Sequence, residues 1–263
     1  MPATVRMRSL TDKSQNGESM HRSMNTPAHE TRSLTAAFGR GAARFYRRLR
    51  ALTIGESFAL DRLDLKLRRF LNFKHGFFVE AGANDGLRYS NTLYFEKYRH
   101  WSGLLVEPIA PLARLCAENR PRCIVENCAL VSFDYPHATV EMQYCDLMSL
   151  VKGSMKSAAE EQRHIKLGCD VQHVETYALA VPACTLTAVL DRHNIAHVDF
   201  LSLDVEGYEL QVLKGLDLER YRPGLMLIEA RYRDDIDGYL RPLYEPIAEL
   251  SHHDVLYRRA GGP

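Results

Sequence analysis

The sequence predicts an α/β fold in which a doubly wound, mostly parallel, Rossmann-like sheet is covered by helices on both faces. Five short apolar runs recur along the chain, each about as long as a strand buried on both faces, at residues 77–81, 103–107, 123–127, 198–204 and 225–229. Amphipathic segments separate these runs, and strand and helix in alternation indicate parallel pairing. The 263 residues, 46% of them apolar and 25% charged, suit one ordinary globular domain with a tail.

The N-terminal region differs in composition from the rest of the chain. Residues 1–50 hold ten Lys and Arg against three Asp and Glu, which gives a formal charge of +7. Their first two thirds are rich in Ser, Thr, Asn, Arg and Met, and cannot bury enough apolar surface to fold alone. We therefore predict a disordered basic tail and linker over 1–50 and one domain over 51–263. The stretch 38–52 is basic, with Phe and Leu residues between the charged ones. Such a stretch could attract nucleic acid or an anionic membrane. We favour a solvated linker or a helix docked on the domain, and expect no nucleic-acid partner.

The elements of the domain can be predicted in order. An amphipathic helix over 60–71 comes first, because apolar residues recur there at helical spacing. Further helices are predicted between the strands, at 90–98, 111–119, 186–194 and 207–215. Residues from about 132 to 180 depart from this alternation of strands and helices, and their pattern predicts a strand, a helix and a strand. We interpret them as an inserted substrate-side segment, since insertions near the ligand edge of such sheets commonly shape the pocket.

The C-terminal part leaves one question about the sheet. After Glu229 only 34 residues remain, and they offer one helix and one convincing strand, at 254–258. Either the sheet is shorter at this end, or a further strand is too irregular to recognise.

The turn after the first strand, "VEAGANDG" at 79–86, lies where an open parallel sheet binds its ligand. Gly82 and Gly86 let the backbone approach a ligand closely, although the spacing lacks the middle glycine of the dinucleotide fingerprint. Glu107 ends the second strand, where a carboxylate can accept both hydroxyls of a ribose. Glu80 adds a carboxylate beside the turn, which suits a ligand carrying an ammonium and a sulfonium and favours S-adenosylmethionine over NAD. A plain glycine turn with incidental strand-end acids is the alternative.

With these residues in view, four ordered blocks of the sequence resemble the FkbM-type family of class I S-adenosylmethionine-dependent methyltransferases. The blocks are "FFVEAGANDGLRYSNTLYFEK", "WSGLLVEP", "ENCALVS" and "VDFLSLDVEGYELQVLKG". The resemblance covers about residues 76–229, identifies the domain predicted over 51–263 as a methyltransferase domain, and assigns cofactor contacts by position. The methionine end of S-adenosylmethionine would meet Glu80, Gly82, Asn84 and Gly86, and its carboxylate would lie near Ser90 and Asn91. Glu107 would bind the ribose, and the adenine would lie near Asn127, Cys128 and Ala129.

The resemblance also implies O-methylation of a small-molecule hydroxyl, typically on a sugar or a polyketide-like substrate. A hydroxyl is a weak nucleophile that must lose its proton, so a base or a metal is needed nearby. Asp204 and Glu206, which follow the fourth strand, are the predicted catalytic residues. Two acids one residue apart could instead hold a divalent cation such as Mg²⁺, with Glu229 as a third ligand, or Asp204 could cap the next helix. Elsewhere His164, His173, Arg231 and Arg233 could reach the pocket, but no spacing marks them.

Two other functions remain open at the level of sequence. A nicotinamide-dependent oxidoreductase is disfavoured by the missing middle glycine and by Glu80. A non-catalytic S-adenosylmethionine-binding module is disfavoured by Asp204 and Glu206.

The cysteines indicate the compartment. The six cysteines (Cys116, Cys123, Cys128, Cys145, Cys169 and Cys184) form no C-x-x-C pair and lie at irregular intervals, which favours reduced, mostly buried thiols over zinc ligands. No apolar run is long enough for a membrane span and no secretory signal is recognisable, so we expect a cytoplasmic enzyme without a transmembrane segment.

Overall fold

The structure, a computed structural model, describes residues 57–261. The predicted tail and linker over 1–50 lie outside the described residues. In chain order the elements are α1 (Leu63–Leu67), β1 (Phe77–Ala81), α2 (Leu93–Arg99), β2 (Ser102–Val106), α3 (Ala110–Asn119), β3 (Ile124–Glu126), β4 (Ala129–Leu130), β5 (Thr139–Tyr144), β6 (Leu150–Val151), α4 (Ala158–Gln172), β7 (Tyr177–Cys184), α5 (Leu186–Arg192), β8 (Phe200–Leu203), α6 (Glu209–Leu213), β9 (Leu225–Glu229), α7 (Arg233–Leu240), β10 (Tyr244–Glu249) and β11 (Asp254–Arg259). Short 3₁₀ turns lie at Leu60–Arg62 and Asp146–Met148. None of the helices within 57–261 is long and apolar enough to cross a membrane.

The predicted doubly wound, mostly parallel sheet is confirmed. Seven strands are ordered β10-β11-β9-β8-β1-β2-β3, and every pair from β9 to β3 is parallel. The strand order reverses at β1, which pairs with β2 on one side and β8 on the other. An open parallel sheet binds its ligand outside the carboxyl ends of its strands at this point of reversal.

Both faces of the sheet are buried, which explains why its strands appear as continuous apolar runs. Along β1, Phe78 packs on one face with residues of α1 and α2, whereas Val79 and Ala81 pack on the other with residues of α5, α6 and α7. Alternate side chains of one strand therefore enter two different cores.

The first helix is shorter than the sequence predicts. Asp61 and Arg62 have φ of +49° and +58°, a left-handed conformation that interrupts the predicted helix and leaves only Leu63–Leu67 helical in α1. The carboxylate of Asp64, fully buried, accepts a hydrogen bond from the Phe58 N–H at 2.7 Å and fixes how the chain enters α1. The helical spacing thus identified the buried leucines correctly but not the length of the helix.

The sheet has a further C-terminal strand in addition to the one predicted at 254–258. Of the two alternatives, a strand too irregular to recognise from the sequence is the correct one. β11 lies antiparallel between β9 and β10, and β10 pairs with β11 with a register shift between Pro246 and Ala248. A proline and a bulge interrupt the alternation from which a strand is recognised, since proline cannot donate to the ladder.

The segment from about 132 to 180 contains a second, smaller sheet. Four strands are ordered β4-β7-β5-β6, and α4 follows β6. Ser157 caps α4 by accepting a hydrogen bond from the Glu160 N–H at 3.2 Å. Gly168 of α4 lies so close to the 3₁₀ turn that a Cβ there would come within 3.1 Å of the Cβ atoms of Cys145 and Met148.

Candidate active site

A cavity of about 420 Å³ lies at the carboxyl ends of β1, β2, β8 and β9. This size is typical of small-molecule sites. Most of the site residues predicted from the sequence line it: Gly82, Asn84, Asn91, Glu107, Cys128, Ala129, Asp204 and Glu206. Four others do not line it and support the wall from behind: Glu80, Gly86, Ser90 and Asn127.

The turn after β1 can be built only with glycine at position 82. Gly82 has φ of +85°, and a Cβ there would lie 1.9 Å from the backbone oxygen of Asp204. The Asp204 N–H in turn donates to the Ala81 oxygen at 3.2 Å. The turn predicted to cradle the cofactor and the loop predicted to carry the base are therefore in direct backbone contact.

Glu107 is held by the turn it faces. Its Oε2 accepts a hydrogen bond from the Asn84 N–H and its Oε1 one from the Ile109 N–H, both at 2.8 Å. Burial raises the pKa of this carboxyl to about 7, although the two N–H groups oppose the shift. Each oxygen keeps a further lone pair, so Glu107 can still accept the two hydroxyls of a ribose.

Glu80 organises the turn from beneath rather than lining the cavity. Its carboxylate accepts hydrogen bonds from the Ser90 hydroxyl at 2.8 Å, the Asn91 N–H at 2.7 Å and the Thr92 hydroxyl at 2.6 Å. Arg120, 1% exposed, approaches the same carboxylate at 3.9 Å. These contacts position the residues that follow the turn.

Arg120 holds the turn from the end of α3. Its guanidinium forms an ion pair with Glu96 and donates to the Gly86 oxygen at 3.0 Å and to the Ser90 hydroxyl at 3.2 Å. Nothing in the sequence distinguishes this buried arginine from a surface one, because its partners lie on other elements.

Asn91 lines the cavity and has one unpaired acceptor. Its amide nitrogen donates to Ser202 Oγ at 3.1 Å, whereas its Oδ1 is buried without a hydrogen-bond partner. A buried carbonyl without a partner is costly.

The turn after β3 forms another part of the wall. Cys128 and Ala129 are buried and line the cavity. Asn127 donates from Nδ2 to the backbone oxygens of Glu107 and Pro108, at 2.8 Å each, and thereby joins the ends of β2 and β3.

Acidic side chains gather opposite the glycine turn. Asp204 is exposed to the cavity yet lies deep in the protein, and its pKa is raised well above its ordinary value by desolvation and by the charges of Glu229, Asp254 and Glu80. Burial also raises the pKa of Glu229 to about 7. A carboxyl with a raised pKa is a stronger base than an ordinary one, and such groups cluster at functional sites.

Glu206 is held on two sides. Its Oε2 lies 3.3 Å from Arg231 Nη2 and 3.4 Å from His164 Nε2, a buried histidine of α4. Glu206 also has φ of +56°, a conformation unusual for a residue other than glycine. Burial lowers the pKa of His164, which favours its neutral form. The insertion and the loop after β9 thus both support this carboxylate.

Glu209 was missed at the level of sequence. It is 1% exposed, and its Oε1 accepts hydrogen bonds from the Val205 N–H at 3.1 Å and the Gly207 N–H at 3.0 Å. It therefore shapes the loop that carries Asp204 and Glu206. Its place three residues after Glu206, ahead of an apolar run, is the signal that could have identified it.

Within residues 57–261 no group of three or more His, Cys, Asp or Glu side chains has an arrangement that could hold a metal ion.

A glycine turn, a strand-end acid and a second acidic loop lie together at one edge of the sheet, as expected for a class I methyltransferase. The chain matches the Methyltransferase FkbM domain over residues 80–258. It therefore belongs to the FkbM methyltransferase family and is an S-adenosylmethionine-dependent methyltransferase. Membership of this family favours methyl transfer over the two other functions considered from the sequence.

Solved structures similar to this chain include three methyltransferases or related proteins. A TehB-like SAM-dependent methyltransferase from Corynebacterium glutamicum ATCC 13032 Kitasato is 12% identical, covers 85% of this chain and 99% of its own, and has a TM-score of 0.41. M. capricolum TrmK in complex with S-adenosyl-homocysteine is 6% identical, with coverages of 74% and 68% and a TM-score of 0.35. The human methyltransferase 10 domain containing protein is 11% identical, with coverages of 74% and 80% and a TM-score of 0.37. No curated protein matches the chain.

Proposed function

We propose that this enzyme transfers the methyl group of S-adenosylmethionine to a hydroxyl of a small molecule, a sugar or a polyketide-like compound. The observation that supports this most strongly is the set of carboxyls with raised pKa that faces the cavity opposite the glycine turn. They lie where a hydroxyl would need a base.

The proposed cofactor contacts follow from the wall of the cavity. Gly82 and Asn84 give the cofactor a close backbone approach, and Asn91 lines the cavity near its carboxylate. Glu107 accepts the ribose hydroxyls, and Cys128 and Ala129 lie against the adenine. Glu80, Gly86, Ser90 and Asn127 contribute by holding these residues in place.

The chemistry proposed for the acidic loop is proton removal. Bound S-adenosylmethionine supplies a methyl group already activated by a sulfonium. The acceptor oxygen forms a bond to that carbon while the carbon–sulfur bond breaks, and the electron pair of the broken bond stays on sulfur. Asp204 takes the hydroxyl proton, and Glu206 orients the acceptor.

The charges in the cavity favour a hydroxyl over an amine as the acceptor. The charge of Glu229 raises the pKa of both Asp204 and Glu206, and Arg231 lowers the pKa of all three carboxyls. Carboxylates stabilise the protonated form of an amine, and an ammonium nitrogen has no lone pair with which to attack. A hydroxyl acceptor remains nucleophilic in the same surroundings.

The test is formation of S-adenosylhomocysteine with a panel of hydroxylated acceptors, with added Mg²⁺ and with EDTA. We expect Asp204→Asn to reduce turnover by about 100-fold or more while the Kd for S-adenosylhomocysteine changes little. Glu141→Gln, on the exposed outer side of β5, is the matched control and should keep full activity. Full turnover by Asp204→Asn would refute the assignment of the base, and loss of activity in EDTA that Mg²⁺ restores would replace it with a metal.

The enzyme is further proposed to work in the cytoplasm. All six cysteines have free thiols, as the reducing conditions of that compartment favour. Fractionation of cells that produce the full chain tests this location directly.

A further inference from the structure

Three large apolar side chains at the mouth of the cavity are unusually exposed. Leu60, Tyr89 and Val171 have 57%, 50% and 56% of their surface accessible, and all three line the cavity. Single exposed apolar side chains are ordinary on a protein surface, whereas several that converge on one opening indicate a binding surface. We refer to these three residues as the apolar rim.

The apolar rim is held together by the backbone and by polar contacts. Ala59, the neighbour of Leu60, forms a parallel bridge with Tyr89. Tyr89 has φ of +54°, so its backbone adopts a conformation that few residues other than glycine accept. Arg88 beside it donates to Gln172 Oε1 at 3.1 Å and forms an ion pair with Asp146 at 2.7 Å. These contacts join two separate parts of the chain around the opening.

Apolar side chains also line the interior of the cavity. Those from the segment after β4 are Met142, Leu147, Met148 and Val151. The carboxyls of Asp204, Glu206 and Glu229 line the cavity at the ends of β8 and β9. A molecule that fills the cavity can therefore meet carboxyls at the ends of β8 and β9 and apolar side chains of the segment after β4.

We propose that the methyl acceptor is an amphiphile, in which a hydroxylated head faces Asp204 and an alkyl or acyl tail lies across the apolar rim. This inference rests on the proposed methyl transfer to a hydroxyl. The tail is the occupant that fits, because the three exposed side chains of the rim and the carboxyl of Asp204 line one continuous cavity. A free sugar would leave the rim exposed to water.

Binding of a graded series of glucosides tests the tail separately from the chemistry. The protein is saturated with S-adenosylhomocysteine and titrated calorimetrically with methyl, hexyl and octyl β-glucoside below their micellar concentrations. We expect the Kd to fall by about twofold per methylene, and by roughly 100-fold from the methyl to the octyl compound. Octyl glucoside that binds no tighter than methyl glucoside would overturn the inference.

Two serine substitutions on α4 provide the matched control. Val171→Ser should remove a large part of the dependence on chain length. Leu167→Ser, one turn earlier on the same helix and 55% exposed but outside the cavity, should leave the dependence unchanged. Both side chains are exposed, so both variants should keep the wild-type melting temperature. Equal effects of the two substitutions would indicate general adhesion to the surface and would overturn the inference.

The inference and the proposed function can fail independently. Asp204→Asn should abolish methyl transfer while the dependence of binding on chain length persists. If binding to the wild-type enzyme depends on chain length but no hydroxyl acceptor is methylated, the proposed function is wrong and the inference that the apolar rim binds a tail is still supported. If it methylates free sugars as efficiently as their octyl glycosides, the rim has no role in acceptor recognition.

Discussion

Protonation of Glu107 should control how tightly the enzyme binds its cofactor near neutral pH. This carboxyl is 5% exposed, and burial raises its pKa to about 7. It is therefore about half protonated at pH 7 in the ligand-free protein. Ribose hydroxyls donate hydrogen bonds, so they bind the ionised carboxylate better than the protonated acid. The affinity for the cofactor should consequently fall as the pH falls.

The magnitude follows from the pKa. A group with a pKa of about 7 is about 90% ionised at pH 8 and about 10% ionised at pH 6. If only the ionised form binds the ribose well, the Kd should rise about tenfold between these two pH values, which corresponds to about 1.4 kcal/mol.

Calorimetric titration with S-adenosylhomocysteine at pH 6, 7 and 8 measures this dependence. The product is preferred to the substrate because it lacks the sulfonium charge, to which the acidic loop would also respond. In Glu107→Gln the binding should be weaker at every pH, since the amide nitrogen would face a backbone N–H, and it should no longer change with pH. A constant Kd in the wild-type protein, or an equal slope in the variant, would refute this reasoning.

Three further predictions concern stability. Three buried carboxyls have a pKa of about 7 in the folded protein, against 4.5 for an ordinary glutamate: Glu107, Glu209 and Glu229. Between these two pH values the folded state binds more protons than the unfolded state, so folding is less favourable at higher pH. The melting temperature of the ligand-free protein, measured by differential scanning fluorimetry, should therefore fall as the pH rises from 5 to 8. Arg120→Met leaves Glu96 buried beside a neutral side chain and should lower the free energy of unfolding by about 3–5 kcal/mol in urea. Arg122 forms an ion pair with the same Glu96, but its side chain is 63% exposed. Arg122→Met should therefore lower the free energy of unfolding by less than about 1 kcal/mol. Equal losses of stability in the two variants would contradict the role given to burial. Gly82→Ala should prevent folding or cofactor binding, since its Cβ would lie 1.9 Å from the Asp204 oxygen. Gly153 also has a positive φ, +81°, but nothing lies within 4 Å of an added Cβ. Gly153→Ala should therefore lower the free energy of unfolding by only about 1–2 kcal/mol, measured by thermal melting.

The central sheet could be predicted because burial on both faces removes the ambiguity of short strands. Phe78 and Val79 enter different cores, so most residues of such a strand are apolar and the run is visible in the sequence. β10 could not be predicted, because Pro246 and the register shift interrupt its pattern. The shortening of α1 was also hidden, since left-handed φ at Asp61 and Arg62 leaves no mark in hydrophobic spacing.

The candidate site was predictable only where its residues follow strands directly. Gly82, Glu107 and Asp204 stand at strand ends, so the topology of a parallel sheet is enough to bring them to one edge. Arg120 and His164 reach the site from the end of α3 and the middle of α4, and only tertiary packing decides which helical side chains turn inward. Glu80 was predicted to contact the cofactor, whereas in the structure its carboxylate is turned to Ser90, Asn91 and Thr92 and does not line the cavity.

The irregularity of β10 has a consequence for how the protein behaves at high concentration. An open sheet exposes unpaired donors and acceptors along its outermost strands, and these can template pairing with another molecule. Here one outer strand carries Pro246 and a bulge, and the strand at the opposite border, β3, has only three residues. Both borders are therefore poor templates for intermolecular β-pairing. We expect the folded enzyme to resist aggregation by sheet extension.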